Sequence, residues 1–256
     1  MAPEARSRAE IPVAILCGGR GTRLQEQTHA IPKPLVEIGG KPIVWHVIRI
    51  YSAQGFRRFL LLTGYLGEMI ERFVVQERWA DGVEVECLDT GQETQTGGRV
   101  ALAADRLREG TFCLAYADGV ADIDLGALLA LHRARGAAAT MTVVRPYSQW
   151  GIAVIGDDDR IEGFREKPRL DYWINGGFFC CEPSFLDYLE PSSVLEREPL
   201  ERAAADGRLA AYRHDGFWEC MDTYKDAIVL NDLWATGDAP WRVWDRAPER
   251  REEARA

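Results

Sequence analysis

Short apolar runs alternate along this chain with stretches whose apolar residues recur every three or four positions. The runs at 12–17, 59–63, 83–88, 111–116 and 139–144 predict strands. Between them, 43–53, 66–78, 100–107 and 125–135 carry helical spacing. Ile43, Val47, Ile50 and Tyr51 share one face of the first such stretch, Pro42 suits its first turn and Gly55 ends it. After Pro146 the texture changes. Residues 152–155, 161–164 and 173–180 predict strands joined by short polar turns, with Asp157-Asp158-Asp159 as a hairpin turn. Residues 182–189 and 196–205 predict helices, 209–214 a strand and 223–236 a closing helix.

Strands alternating with helices predict an α/β fold, a Rossmann-like and mostly parallel central sheet flanked by helices, followed by a smaller β-rich portion. Ligands of such sheets bind at the carboxyl ends of the strands. The expected organisation is a flexible arm at 1–10, a single domain at 11–245 with halves 11–145 and 146–245, and a charged tail at 246–256.

The chemistry concentrates where the first strand ends. Cys17-Gly18-Gly19-Arg20-Gly21-Thr22-Arg23-Leu24 follows the apolar run directly, and Lys33-Pro34 comes soon after. Glycines let backbone N–H groups approach an anion, and the arginines and threonine add charge and a hydroxyl. A dinucleotide fingerprint would need a third glycine where Leu24 stands, and no Walker loop is present. An ordinary glycine-rich turn is the alternative. Lys33 weighs against it. Only Lys33, Lys41, Lys167 and Lys225 are lysines among 31 basic residues, and a compact ammonium suits a phosphate oxygen.

Asp118 follows another apolar run and precedes Gly119, and Asp222 stands just before the closing helix. Each fits a divalent-cation ligand or a turn or helix-cap aspartate. Glu166-Lys167-Pro168 and Asn175-Gly176-Gly177-Phe178 are further motif-like stretches.

Together, G-G-x-G-T-R-L with K-P resembles the signature of the sugar-1-phosphate nucleotidylyltransferases, whose domain is GT-A-like. The resemblance runs over about 11–241. It includes Thr96-Gly97-Gly98-Arg99, Trp173 to Phe179, Arg197-Glu198-Pro199-Leu200-Glu201 and Tyr212 to Trp218, which are similar to the cytidylyltransferase branch. It implies transfer of a cytidylyl group from CTP to a sugar 1-phosphate, α-D-glucose 1-phosphate above others, with release of pyrophosphate. Residues 11–145 would be the nucleotide-binding half and 146–245 the sugar-phosphate-binding half. Leu16, Gly18, Gly19, Gly21, Thr22, Arg23, Thr96, Gly98 and Arg99 would hold the nucleotide, with Arg99 on the cytosine. Arg23 and Lys33 would act at the reacting phosphates, and Asp118 and Asp222 would hold Mg²⁺. Tyr116, Trp150, Gly151, Glu166, Lys167, Asn175 and Gly176 would face the sugar phosphate. The resemblance also implies a homo-oligomer. Gln149-Trp150 stands where the family has Arg-Phe, so the sugar is left open. Two other readings stay in view: a sugar-nucleotide-dependent glycosyltransferase using Asp118 and Asp122, and a non-catalytic sensor.

Charge and composition narrow this further. A net charge of -9 argues against a nucleic-acid partner. None of the six cysteines forms C-x-x-C, and buried, reduced thiols are expected rather than zinc ligands. No signal-peptide pattern and no apolar run of membrane-spanning length is present, so the expected location is the cytoplasm and no membrane partner is expected.

Overall fold

The first apolar run forms strand β1 (Pro12–Leu16) in the computed structural model, which describes residues 6–21 and 30–245. Side chains alternate across it. Val13 and Ile15 enter one buried cluster and Ala14 the other, so the sheet is covered on both faces. Next come the two-residue strands β2 (Glu37–Ile38) and β3 (Lys41–Pro42), then helix α1 (Ile43–Ser52), β4 (Arg58–Thr63), α2 (Gly67–Gln76) and β5 (Glu84–Asp89). Helices α3 (Thr96–Leu102) and α4 (Ala104–Leu107) lead to β6 (Phe112–Tyr116), β7 (Gly119–Ala121), α5 (Leu125–Arg135) and β8 (Ala139–Val144). The second half adds β9 (Ile152–Ile155), β10 (Ile161–Arg165), β11 (Ile174–Cys181), α6 (Glu198–Ala205), β12 (Leu209–His214), β13 (Trp218–Cys220) and α7 (Tyr224–Ala235).

Seven strands make the central sheet in the order β12-β8-β11-β6-β1-β4-β5. All neighbours are parallel except β11, which runs antiparallel to both β6 and β8. The reason is connectivity. Parallel neighbours need a crossover, which helices supply elsewhere, whereas β8 reaches β11 through the β9–β10 hairpin with no helix between. The acidic triplet at 157–159 turns that hairpin, with Asp159 in the left-handed region at φ +60°. The helix expected at 182–189 is a 3₁₀ helix at Pro183–Tyr188, and β7 and β13 form a small antiparallel pair that periodicity did not indicate.

The C-terminal segment closes over α1. Trp241 is fully buried, stacks on Phe217 at 5.5 Å and donates its indole N–H to His46 Nδ1 at 3.2 Å. His46 Nε2 faces Ile38 O at 2.9 Å, so the ring is neutral with its proton on Nε2. Burial holds its pKa down to about 4. The unfolded chain takes that proton near pH ~6.5, and the folded ring refuses it until about pH 4. The stabilisation is therefore complete above ~6.5 and is lost as pH falls through this window, on the order of 3 kcal/mol in all. Urea unfolding at several pH values should show a steeper acid loss in the wild type than in His46→Gln. Parallel slopes would refute the assignment.

Candidate active site

The register of two strands builds the site. Leu16 on β1 lies beside Tyr116 on β6, so Gly18 and Asp118, each two residues further on, leave the sheet at the same edge. From there β7 pairs with β13, matching Gly119 with Cys220, and Met221 N–H donates to Asp118 O at 2.9 Å. That pairing carries Asp222 to Asp118 across about a hundred residues of sequence. Thr223, not Asp222, caps α7, in a capping box with Asp226. The cap reading of Asp222 is thereby replaced.

Lys33 meets both carboxylates. It opens the 3₁₀ turn Lys33–Leu35, and its Nζ donates to Asp118 Oδ2 at 2.5 Å and Asp222 Oδ1 at 2.7 Å. Its side chain is only 13 % exposed. Burial acts to lower its pKa, but Asp118 and Asp222 outweigh burial and push it up to about 12. Two carboxylates are thus already arranged around a cation. The oxygen donors and the open cavity beside them fit a hard divalent ion such as Mg²⁺.

This cluster lies in an open cavity of about 760 Å³. Leu16, Gly18, Gly19, Gly21, Thr96 and Arg99 line one side, and Tyr116, Asn175, Gly176 and Trp218 another. A Cβ on Gly18 would collide with the Arg99 guanidinium, and one on Gly177, at φ +79°, would come within 2.7 Å of the Tyr116 ring. Both positions therefore need glycine. Asn175 donates from Nδ2 to Tyr116 Oη at 3.0 Å and accepts from Gly177 N–H at 2.8 Å. Tyr116 Oη donates to Glu196 at 2.6 Å, and Thr96 Oγ1 donates to the other oxygen of that carboxylate at 2.7 Å. Burial, together with the Glu196 carboxylate, raises the Tyr116 phenol far above its usual range. Thr96, expected on the nucleotide, and Tyr116, expected on the sugar phosphate, thus share one hydrogen-bonded carboxylate.

Some expected residues stand elsewhere. Thr22 and Arg23 lie outside the described residues. Arg99 is only 3 % exposed. Its Nη1 donates to Thr63 O, Thr90 Oγ1 and Gly91 O at 2.6–2.8 Å, and its Nη2 to Gly18 O at 2.9 Å. The guanidinium, expected on the cytosine, is held here by protein acceptors and braces the glycine loop, while Arg99 lines the cavity. Gly98 gives its N–H to Ser193 O at 3.0 Å and so does not offer it to a nucleotide. Glu166 and Lys167 follow β10 and, like Trp150 at 74 % exposed and Gly151, are not among the cavity-lining residues. A Cβ on Gly151 would meet the Phe164 ring and then the Glu166 carboxylate, and Lys167 lies 3.9 Å from that carboxylate, at φ +44°. Asp122 accepts from Phe217 N–H at 2.8 Å and pairs with His214 at 3.2 Å. It is not in the Asp118 cluster, which among the described residues also brings the Cys220 sulfur close to Asp118 and Asp222.

Sequence reasoning missed Glu196, Trp218 and Cys220. Glu196 stands at the start of a predicted helix, beside Arg197-Glu198-Pro199-Leu200-Glu201. The isolated cysteine resembled the core thiols, and nothing local marked either as part of a cavity.

The chain belongs to the nucleotidyl transferase family, whose profile matches residues 13–228. It is an enzyme of that class. Among curated proteins it is 41 % identical over 251 residues to a probable glucose-1-phosphate cytidylyltransferase of Bacillus subtilis (strain 168), covering 90 % of this chain and 98 % of that one. It is 39 % identical over 254 residues to the glucose-1-phosphate cytidylyltransferase of Salmonella typhi, with the same coverage. In fold it is similar to the crystal structure of HddC from Yersinia pseudotuberculosis, with a TM-score of 0.71, 21 % identity and coverage of 88 % and 99 %. No helix among the described residues is long and apolar enough to cross a membrane.

Proposed function

We propose that this enzyme transfers a cytidylyl group from CTP to a sugar 1-phosphate, with α-D-glucose 1-phosphate the expected acceptor, and releases pyrophosphate. The observation that carries the reading is the Lys33–Asp118–Asp222 cluster at the ends of β1 and β6, beside the glycine loop. The two cytidylyltransferase relatives supply the nucleotide and the sugar.

The chemistry asks little of the protein beyond position and charge. A sugar phosphate is already anionic near neutral pH, so its oxygen can attack the α-phosphorus without a general base. The bond to pyrophosphate breaks as the new P–O bond forms. Lys33 would neutralise charge at the reacting phosphate. Asp118 and Asp222 would hold Mg²⁺, which when bound would screen the phosphates from one another. Backbone N–H groups at Gly18, Gly19 and Gly21 would line the triphosphate, and Arg23 is expected at the leaving pyrophosphate. Tyr116, Asn175 and Glu196 form a polar wall suited to sugar hydroxyls. Asp122, turned to Phe217 and His214, argues against the glycosyltransferase reading, which needs it beside Asp118.

Pyrophosphate release is measured with Mg²⁺ and each of CTP, UTP, dTTP, GTP and ATP on glucose 1-phosphate. Release with CTP that stops on addition of a chelator is expected. Release with another nucleotide, and not with CTP, would overturn the assignment of the base. Silence with every nucleotide on several sugar phosphates would overturn the reaction.

A further inference from the structure

Cys220 is the one member of the central cluster that this reaction leaves idle. It ends β13 opposite Gly119, on the segment that leads into Asp222. Its Sγ and one carboxylate oxygen from each of Asp118 and Asp222 all lie within 4.8 Å of one another. The Lys33 ammonium already sits against both carboxylates, so the cluster is organised around positive charge before any metal enters. Cys220 lines the same cavity as the two aspartates, and it also borders a neighbouring cavity of about 610 Å³ lined by Gln149 and Asp226.

Donor chemistry separates metals at such a site. Carboxylate oxygens suit Mg²⁺, whereas sulfur selects thiophilic ions. A hard ion would use the two aspartates and ignore the sulfur. We propose that Asp118, Asp222 and Cys220 form a mixed oxygen–sulfur site that binds thiophilic divalent cations such as Cd²⁺ and Zn²⁺ in competition with Mg²⁺, and so inhibits the enzyme. The inference rests on the reading of Asp118 and Asp222 as metal ligands. On binding, the S–H bond breaks, its electron pair forms the sulfur–metal bond and the proton leaves to solvent through the open cavity. Nothing is oxidised or reduced.

The other thiols make the test selective. Cys17, Cys113, Cys180 and Cys181 are at most 1 % exposed, and Cys87 is half-buried on β5. Nucleotide-free full-length enzyme is titrated with Cd²⁺ while the thiolate-to-metal absorption is followed in the ultraviolet. The wild type, Cys17→Ala and Cys87→Ser should develop the band, which excess Mg²⁺ diminishes. Cys220→Ser, checked for its fold by circular dichroism, should lack the band and bind Cd²⁺ at least ~10-fold more weakly. Asp118→Asn should weaken the band as well. In steady-state turnover, the Cd²⁺ concentration for half-inhibition should rise by a similar factor in Cys220→Ser. An undiminished band in Cys220→Ser, or one indifferent to both Mg²⁺ and Asp118→Asn, would overturn the site. The two proposals fail separately. A wild type that releases pyrophosphate with Mg²⁺ but shows no band refutes the mixed site alone. A band that behaves as described, without turnover on any nucleotide, upholds the site and removes the proposed reaction.

Discussion

Lys33→Ala lowers turnover by about 10²–10³-fold while the fold survives. The ammonium touches both carboxylates from a position that is 13 % exposed, so little water screens its charge. Removing it takes away the cation proposed to act at the reacting phosphates and leaves Asp118 and Asp222 facing each other. Lys33→Arg is expected to restore little. A guanidinium fork is larger and flatter than an ammonium, and the two carboxylates are spaced for a single nitrogen at 2.5 and 2.7 Å. Because the three side chains act as a unit, Lys33→Ala combined with Asp118→Ala should cost far less than the product of the single losses. The measurement is steady-state pyrophosphate release at saturating nucleotide and sugar phosphate, with circular dichroism on each variant. Near-normal turnover by a folded Lys33→Ala protein would remove Lys33 from the chemistry.

Arg99→Met should lower the free energy of unfolding by roughly 3 kcal/mol and also raise the KM for nucleotide. Five acceptors converge on this guanidinium: Thr63 O, Thr90 Oγ1, Gly91 O, Gly18 O and, at 3.4 Å, Gln92 O. Some keep a second partner, since Tyr65 N–H also donates to Gly18 O and Thr90 N–H to Thr63 O. The loss is therefore smaller than five separate bonds would suggest. The coupling to function runs through Gly18, whose carbonyl Arg99 holds while its backbone borders the cavity. Arg99→Lys should recover only part of the stability, because three donors on one nitrogen cannot span acceptors placed for a planar fork. Urea unfolding and nucleotide KM, read on the same preparations, check both effects. A stable Arg99→Met protein that had lost only its preference for CTP would return Arg99 to the base.

Lys33 and Arg99 show where a sequence motif is enough and where it is not. The glycine loop, Lys33-Pro34 and Asp118 could be read directly, because each is a short local pattern attached to an apolar run. The arginine of Thr96-Gly97-Gly98-Arg99 was equally visible, but its partners were not. They come from the ends of β1 and β4 and the loop after β5, which meet only in the folded sheet. Cys220 is the sharper case. As one residue in an apolar stretch it resembled the core thiols, and only the β7–β13 pairing brings its sulfur to the carboxylates.

Local patterns along the chain are enough for the α/β class, the order of most strands and helices, and the identity of the charged groups beside the glycine loop. These follow from periodicity and turn chemistry, which act within a few residues. Tertiary structure decided the antiparallel insertion of β11, the meeting of Asp118 with Asp222, the commitment of Arg99 and the position of the Glu166–Lys167 arm outside the cavity lining. Those are contacts between segments up to about a hundred residues apart. Their geometry depends on which strand lies beside which and in what register, and no local pattern encodes that.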